Sequence, residues 1–157
     1  VIVIVCFSLY LQNYFGEYRT NYSQSWQYSY GDAMKYIGEN KNKYDRIFVT
    51  KRLGEPHIFY SFYNQIKPRL LQPGRSNIRF EKSGWFWTDK IDNIYFVNDW
   101  DIPVTPINSL ELESGEVVPT KNSILVTSSD HVPINATVIE TLKFLDGTPA
   151  FIICSIP

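Results

Sequence analysis

The chain opens with an uncharged apolar run of eleven residues, VIVIVCFSLYL, and this run constrains the fold more than any other feature. As an α-helix it would extend about 16 Å, roughly half the hydrocarbon thickness of a bilayer. It lacks the basic residues that open a signal peptide. A run of this kind must be covered by lipid or by protein. We therefore expect the last part of a transmembrane helix, with a buried β-strand as the alternative that the alternating valine and isoleucine favour.

Aromatic side chains crowd the stretch that follows the apolar run. Rings that are apolar in body and polar at the tip favour the membrane–water interface. Arg19 is the only basic residue between positions 12 and 34, whereas cytoplasmic flanks usually carry an excess of Lys and Arg. We therefore expect residues 1–14 to end a truncated transmembrane helix and residues 15–157 to form an extracytoplasmic domain at the cell membrane. The rings are Tyr10, Tyr14, Phe15, Tyr18, Tyr22, Trp26, Tyr28 and Tyr30.

Length and charge narrow the classes of function. The 157 residues suffice for one domain with its own core. Fifteen basic and sixteen acidic residues give a net charge of −1. Nucleic-acid binding and polybasic attachment to an anionic membrane both need a positive surface, so neither is expected.

Hydrophobic periodicity predicts an α/β fold. Residues 32–40 have the spacing of a helix and residues 45–50 that of a short buried strand. Pro56 suits the first turn of a second helix, which Pro68 would end. The apolar stripe predicted for this helix consists of Ile58, Phe59, Phe62, Tyr63 and Ile66.

The second half of the chain is richer in strand patterns. Residues 85–87, 94–98 and 123–127 are typical of strands. Residues 70–83 have the composition of a loop with some extended structure, and residues 101–122 that of a connecting loop. Residues 137–144 and 150–155, joined by a turn that contains Asp146-Gly147, predict a hairpin. The expected architecture is a small α/β sandwich with a mixed sheet, two main helices and a C-terminal β-hairpin.

Polar residues gather where the first strand is expected to end and the second helix to begin. Ligands favour the carboxyl ends of parallel strands, and helix N-termini attract anions. Lys51, Arg52 and His57 could therefore face a phosphate or a carboxylate, with Glu55 beside them. The alternative is that Glu55 caps the helix and the basic side chains are solvated.

Trp85 and Trp87 are two residues apart, so they would share one face of a strand. Exposed, they would stack against a sugar ring or a lipid headgroup; buried, they would belong to the core.

Asp89, Asp92, Asp99 and Asp101 are expected mostly in turns. No catalytic or metal-binding sequence motif is present, so we assign no catalytic residue, no metal ligand and no cofactor.

Several segments together resemble a known family. They lie in residues 25–65, in W-F-W-T-D at residues 85–89, in F-V-N-D-W at residues 96–100, and in the closing hairpin with D-G and P-A-F. They are similar to the C-terminal region of bacterial multi-spanning glycosyltransferases, the superfamily of protein O-mannosyltransferases and aminoarabinose transferases. In residues 25–65 the likeness includes the W-Q-Y segment, the strand ending in T-K, and G-E-P-H at the start of the second helix.

The resemblance implies a large membrane domain upstream, which would be the main partner of this domain. That domain would transfer a sugar from a polyprenyl-phosphate donor outside the cytoplasm, with its catalytic carboxylate in its first outward loop. The residues present here would then form an accessory domain, not catalytic alone. Three tasks stay open for it: to cover the active-site entrance, to contact lipid-linked sugar or acceptor, or to stabilise the membrane domain. The alternatives are a membrane-anchored module that binds a glycan or a protein, and a small independent enzyme.

Overall fold

Three parallel strands form the centre of a seven-stranded sheet, and an antiparallel pair of strands continues it on each side. The structure is a computed structural model that describes residues 1–72, 74 and 76–157. The strands are β1 (Arg46–Thr50), β2 (Asn77–Lys82), β3 (Trp85–Ile91), β4 (Ile94–Val97), β5 (Ser109–Glu111), β6 (Val117–Pro119), β7 (Ser123–Thr127), β8 (Thr137–Lys143) and β9 (Pro149–Ile156).

The strand order in the large sheet is β2-β3-β4-β1-β7-β9-β8, and β5 and β6 form a separate small hairpin. β1 lies between β4 and β7 and runs parallel to both, so the carboxyl ends of these three strands meet at one edge. Among the described residues, the four α-helices are α1 (Ile2–Asn13), α2 (Arg19–Asn21), α3 (Tyr30–Asn40) and α4 (Pro56–Tyr63). With α3 and α4 as its main helices and β8–β9 as its C-terminal hairpin, this mixed sheet confirms the predicted fold class.

Both faces of the central strands are buried, which explains their nearly continuous apolar sequence. Ile47 and Val49 of β1 face one core, in which Tyr30 and Ile37 of α3 and Tyr60 of α4 also lie. Phe48 points to the opposite core, which is covered by the β5–β6 hairpin and the loop before it. The small hairpin thus takes the place of helices on the second face.

The N-terminal run is helical, so the alternative of a buried strand is wrong. No residue of α1 is buried, and Ile2 and Val3 keep about four-fifths of their side-chain surface exposed. Residues 14–18 continue as an irregular helical stretch with a kink at Gly16, where φ is −97° and ψ is −109°. Among the described residues, no helix has both the length and the apolar character needed to cross a bilayer.

Three details of the secondary structure differ from the prediction. The stripe predicted for α4 is only partly right: Phe59 packs against the first core, but Ile58 and Phe62 are exposed. The fully buried ring is that of Tyr60, which was outside the stripe. α4 also ends at Tyr63, before Pro68. The connection 101–122 contains β5 and β6. The stretch 70–83, predicted as a loop with some extended structure, contains β2, and positions 73 and 75 of it lie outside the described residues.

Candidate functional site

The carboxyl edge of β4, β1 and β7 holds a cluster of polar side chains around Asp99. This carboxylate is buried just after β4 and accepts hydrogen bonds from Thr50 Oγ1 at 2.7 Å and Ser128 Oγ at 2.8 Å. Thr50 ends β1, and Ser128 directly follows β7. Each of the three parallel strands therefore contributes one member, as expected for the ligand-binding edge of an α/β sheet.

Arg52 neutralises this cluster. Its Nη1 atom donates to Asp99 Oδ2 at 3.1 Å and to Asp130 Oδ1 at 2.8 Å. The hydrogen bond from Arg52 lowers the pKa of Asp130 to about 2. We call Thr50, Arg52, Asp99, Ser128 and Asp130 the arginine cluster.

The arginine cluster has one neighbour that could ligate a metal. His131 Nδ1 donates to the carbonyl oxygen of Ile102 at 2.7 Å, and Nε2 lies 3.6 Å from Asp99 Oδ2. Ligand atoms of Asp99, Asp130 and His131 lie within 4.8 Å of one another. Arg52 already bonds both carboxylates, so a metal ion would have to displace its guanidinium.

Lys51 lies in a second cluster beside the first. Its Nζ atom contacts Asp89 Oδ1 at 2.7 Å and Glu113 Oε2 at 3.1 Å, and its side chain is only 7% exposed. Asp89 Oδ2 also accepts the backbone N–H of Ser114 at 2.7 Å, and Lys82 Nζ contacts Glu113 Oε1 at 3.2 Å. The alternative in which Lys51 is solvated is therefore wrong. We call Lys51, Lys82, Asp89 and Glu113 the lysine cluster.

Trp85 and Trp87 adjoin the lysine cluster. The β2–β3 register places them on one face of β3, and neither ring is buried, so the alternative that both are core residues is wrong. Trp85 is 72% exposed, while the half-buried Trp87 has Lys51 Nζ 5.7 Å from its ring centroid. Trp87 Nε1 also donates to the carbonyl oxygen of Lys82 at 3.3 Å, which fixes this ring. We call Trp85 and Trp87, together with the lysine cluster, the tryptophan face.

Glu55 and His57 form a separate pair at the start of α4. Glu55 Oε2 lies 3.2 Å from His57 Nδ1, and within the described part of the chain neither atom makes a well-aligned hydrogen bond or reaches solvent. Burial, assisted by the charges of Arg79 and Lys51, lowers the pKa of His57 to about 4. Burial also raises the pKa of Glu55. Glu55 occupies the N-cap position but makes no side-chain capping bond, so its predicted capping role is wrong.

The six predicted site residues thus fall into three groups. Lys51 belongs with Trp85 and Trp87 to the tryptophan face. Arg52 belongs to the arginine cluster, and Glu55 pairs with His57. Lys51 and Arg52 separate because neighbouring side chains at a strand end point in different directions.

Sequence reasoning missed the acidic partners and the residues contributed by the third parallel strand. Asp89 and Asp99 were expected in turns, yet both are buried and bonded. Their position in the sequence could have indicated them, because polar residues directly follow each of the three strands that are parallel neighbours in the sheet. The missed residues are Asp89, Asp99, Glu113, Ser128, Asp130 and His131.

The fold and these clusters define a mixed α/β domain whose carboxyl edge carries paired charges, with exposed tryptophan rings beside it. Comparisons with protein-family models, with curated proteins and with solved structures found no match to this chain.

Proposed function

We propose that this chain is the accessory extracytoplasmic domain of a membrane glycosyltransferase that moves a sugar from a polyprenyl-phosphate donor to an acceptor. The catalytic residues belong to an upstream membrane domain, and α1 attaches the domain to the membrane. The single observation that carries the proposal is the state of α1, an apolar helix that no part of the described chain covers.

The physical argument concerns the cost of leaving α1 in water. Burying one Val, Leu, Ile or Phe side chain is worth about 1.5–3 kcal/mol, and α1 exposes several of them around its whole circumference. A helix that is apolar on all sides is stable inside a large core or inside a bilayer. Because the rings that follow α1 are typical of the membrane interface, lipid is the better candidate.

The arginine cluster lies on the side of the domain from which the N-terminal segment leaves. Gln24 lines a cavity of about 150 Å³ together with Arg52 and Ser128. Tyr30, at the start of α3, donates from its hydroxyl to the carbonyl oxygen of Thr50 at 3.1 Å. With α1 in the membrane, the carboxyl edge therefore lies close to the segment through which the domain joins the bilayer, as contact with a lipid-linked substrate requires.

The tryptophan face is the best candidate for sugar contact. The exposed ring of Trp85 offers an apolar face to the C–H side of a pyranose. Lys82, whose side chain is half exposed, supplies a donor and Glu113 an acceptor for hydroxyl groups at the edge of that face.

The test is sugar transfer by the complete transferase in its own membrane. Trp85→Ala should lower the rate of transfer several-fold, because it removes the stacking surface without touching a buried group. Trp100→Ala is the matched control, since Trp100 is 76% exposed and lies outside the tryptophan face. Equal activity of both variants and the wild type would remove sugar contact from the proposal.

A membrane-anchored binding module is the second candidate function. The observation that favours it is that the tryptophan face is complete within this chain. This alternative predicts that the purified chain binds a glycan with the same affinity as the whole protein, and that no sugar transfer accompanies its expression.

A further inference from the structure

A pocket of about 350 Å³ lies between the N-terminal helical segment and the β8–β9 turn. Its size is within the range of sites that hold small ligands. Apolar surface dominates its walls, and one charged side chain reaches it. We call it the aromatic pocket; it is formed mainly by Tyr14, Phe15, Tyr18, Arg19, Trp26 and Tyr28.

The walls of the aromatic pocket are ordered by contacts on both sides. On the helical side, the ring of Tyr14 stacks on that of Tyr18 with their centroids 5.9 Å apart. On the domain side, the backbone N–H of Leu145 donates to Ser23 Oγ at 3.2 Å, and Ser23 Oγ donates to the carbonyl oxygen of Thr20 at 2.9 Å. The segment after α2 is therefore tied to the β8–β9 turn, and the pocket lies between the two.

Arg19 gives the pocket its charge preference. Within the described part of the chain, no ion pair joins the Arg19 guanidinium to a carboxylate. A guanidinium among apolar rings attracts an anion, and its forked N–H groups match two oxygens of a phosphate. The same charge disfavours a headgroup that would bring a second cation, such as choline, among the rings.

We propose that the aromatic pocket binds the headgroup of an anionic membrane lipid that ends in a phosphate, with Arg19 bonded to the phosphate oxygens. The inference rests on the membrane attachment proposed above, because that attachment brings the pocket to the level of lipid phosphates. The rings of Trp26 and Tyr28 then contact the apolar part of the lipid next to the phosphate.

The test measures binding of the full chain, residues 1–157, to three kinds of vesicle. One contains phosphatidylcholine alone, and the others contain added phosphatidic acid or phosphatidylserine at matched surface potential. The chain should bind phosphatidic acid vesicles about fivefold more tightly than phosphatidylserine vesicles, which is the effect of about 1 kcal/mol for one favourable cationic contact.

Three variants separate the pocket from general charge attraction. Arg19→Gln and Trp26→Ala should both abolish the preference for phosphatidic acid, although only the first changes the charge. Lys35→Gln is the matched control, because it removes one charge from an exposed position of α3 and should leave the preference intact.

Four outcomes would contradict the inference or its foundation. Equal binding to phosphatidic acid and phosphatidylserine vesicles would overturn the inference, as would an equal loss of preference in Lys35→Gln. If inorganic phosphate competes for the pocket as well as a soluble short-chain phosphatidic acid does, the pocket is a site for free phosphate and the assignment to a lipid is overturned. Failure to bind phosphatidylcholine vesicles at all would instead overturn the membrane attachment on which the inference rests.

Discussion

At the scale of single residues, Lys51 is the side chain on which the lysine cluster depends. Lys51→Met should lower the free energy of unfolding by about 3–5 kcal/mol, because it leaves the fully buried Asp89 carboxylate without its cation. Lys35→Met, at an exposed position, should change it by about 0.5 kcal/mol or less. Urea unfolding monitored by circular dichroism measures both, and equal stability of the two variants would show that Lys51 is solvated.

His57 should make stability depend on pH. Its pKa is about 4 in the folded state and 6.5 in the unfolded state, so the unfolded chain binds more protons between these values. The stabilising effect of His57 is therefore present above pH 6.5 and is lost as pH falls towards 4. The raised pKa of Glu55 acts in the opposite direction, since its contribution is lost as pH rises.

The measurement isolates His57 by comparing the wild type with His57→Gln. Their difference in free energy of unfolding should grow in favour of the wild type as pH rises from 4 to 6.5. A difference that is constant over this interval would mean that the imidazole titrates in the folded state as it does in the unfolded chain.

At the scale of elements, the face of α4 that packs on the core differs between the prediction and the structure. Tyr60, which was outside the predicted stripe, is 1% exposed, whereas Phe62, a member of that stripe, is 74% exposed. Tyr60→Ala should cost about 3–5 kcal/mol, as aromatic truncation in a core does, and Phe62→Ala about 0.5 kcal/mol or less. Thermal unfolding of the two variants measures this, and the reverse order would restore the predicted stripe.

The elements that the sequence predicted well are those with one strong local signal. β1 and β7 are short buried runs of apolar residues, and the β8–β9 hairpin has an Asp-Gly turn between two strands. These segments are too apolar to be exposed loops, so the local sequence pattern was sufficient to predict them as strands.

The elements that were missed depend on contacts that local pattern does not contain. β2 was expected only as some extended structure within a loop. It carries Arg79, Glu81 and Lys82 on an edge of the sheet, so its sequence is as polar as that of a loop. β5 and β6 are three residues each and exist because they cover the second core.

The candidate site was predictable only in part for a related reason. Glu113 and Lys51 are 62 positions apart, and Asp99 meets Thr50 across 49. The order of the strands in the sheet determines which distant residues come into contact, and the periodicity of a single sequence does not predict that order. Position at strand ends nevertheless identified Lys51 and Arg52 correctly as members of polar clusters.

At the scale of the whole molecule, the chain consists of an exposed apolar helix, α1, and a domain with its own cores. Both cores consist of residues from Tyr30 onwards, and none of the residues in them comes from α1. The domain should therefore fold without α1, and its carboxyl edge should still form the two clusters.

Removal of residues 1–14 tests the central claim most directly. The full chain should float with phosphatidylcholine vesicles in a density gradient, whereas residues 15–157 should stay in the dense fraction and still unfold cooperatively on heating. If residues 15–157 are unfolded, α1 is part of the protein's own core. If both proteins stay in the dense fraction, α1 does not attach this domain to a membrane.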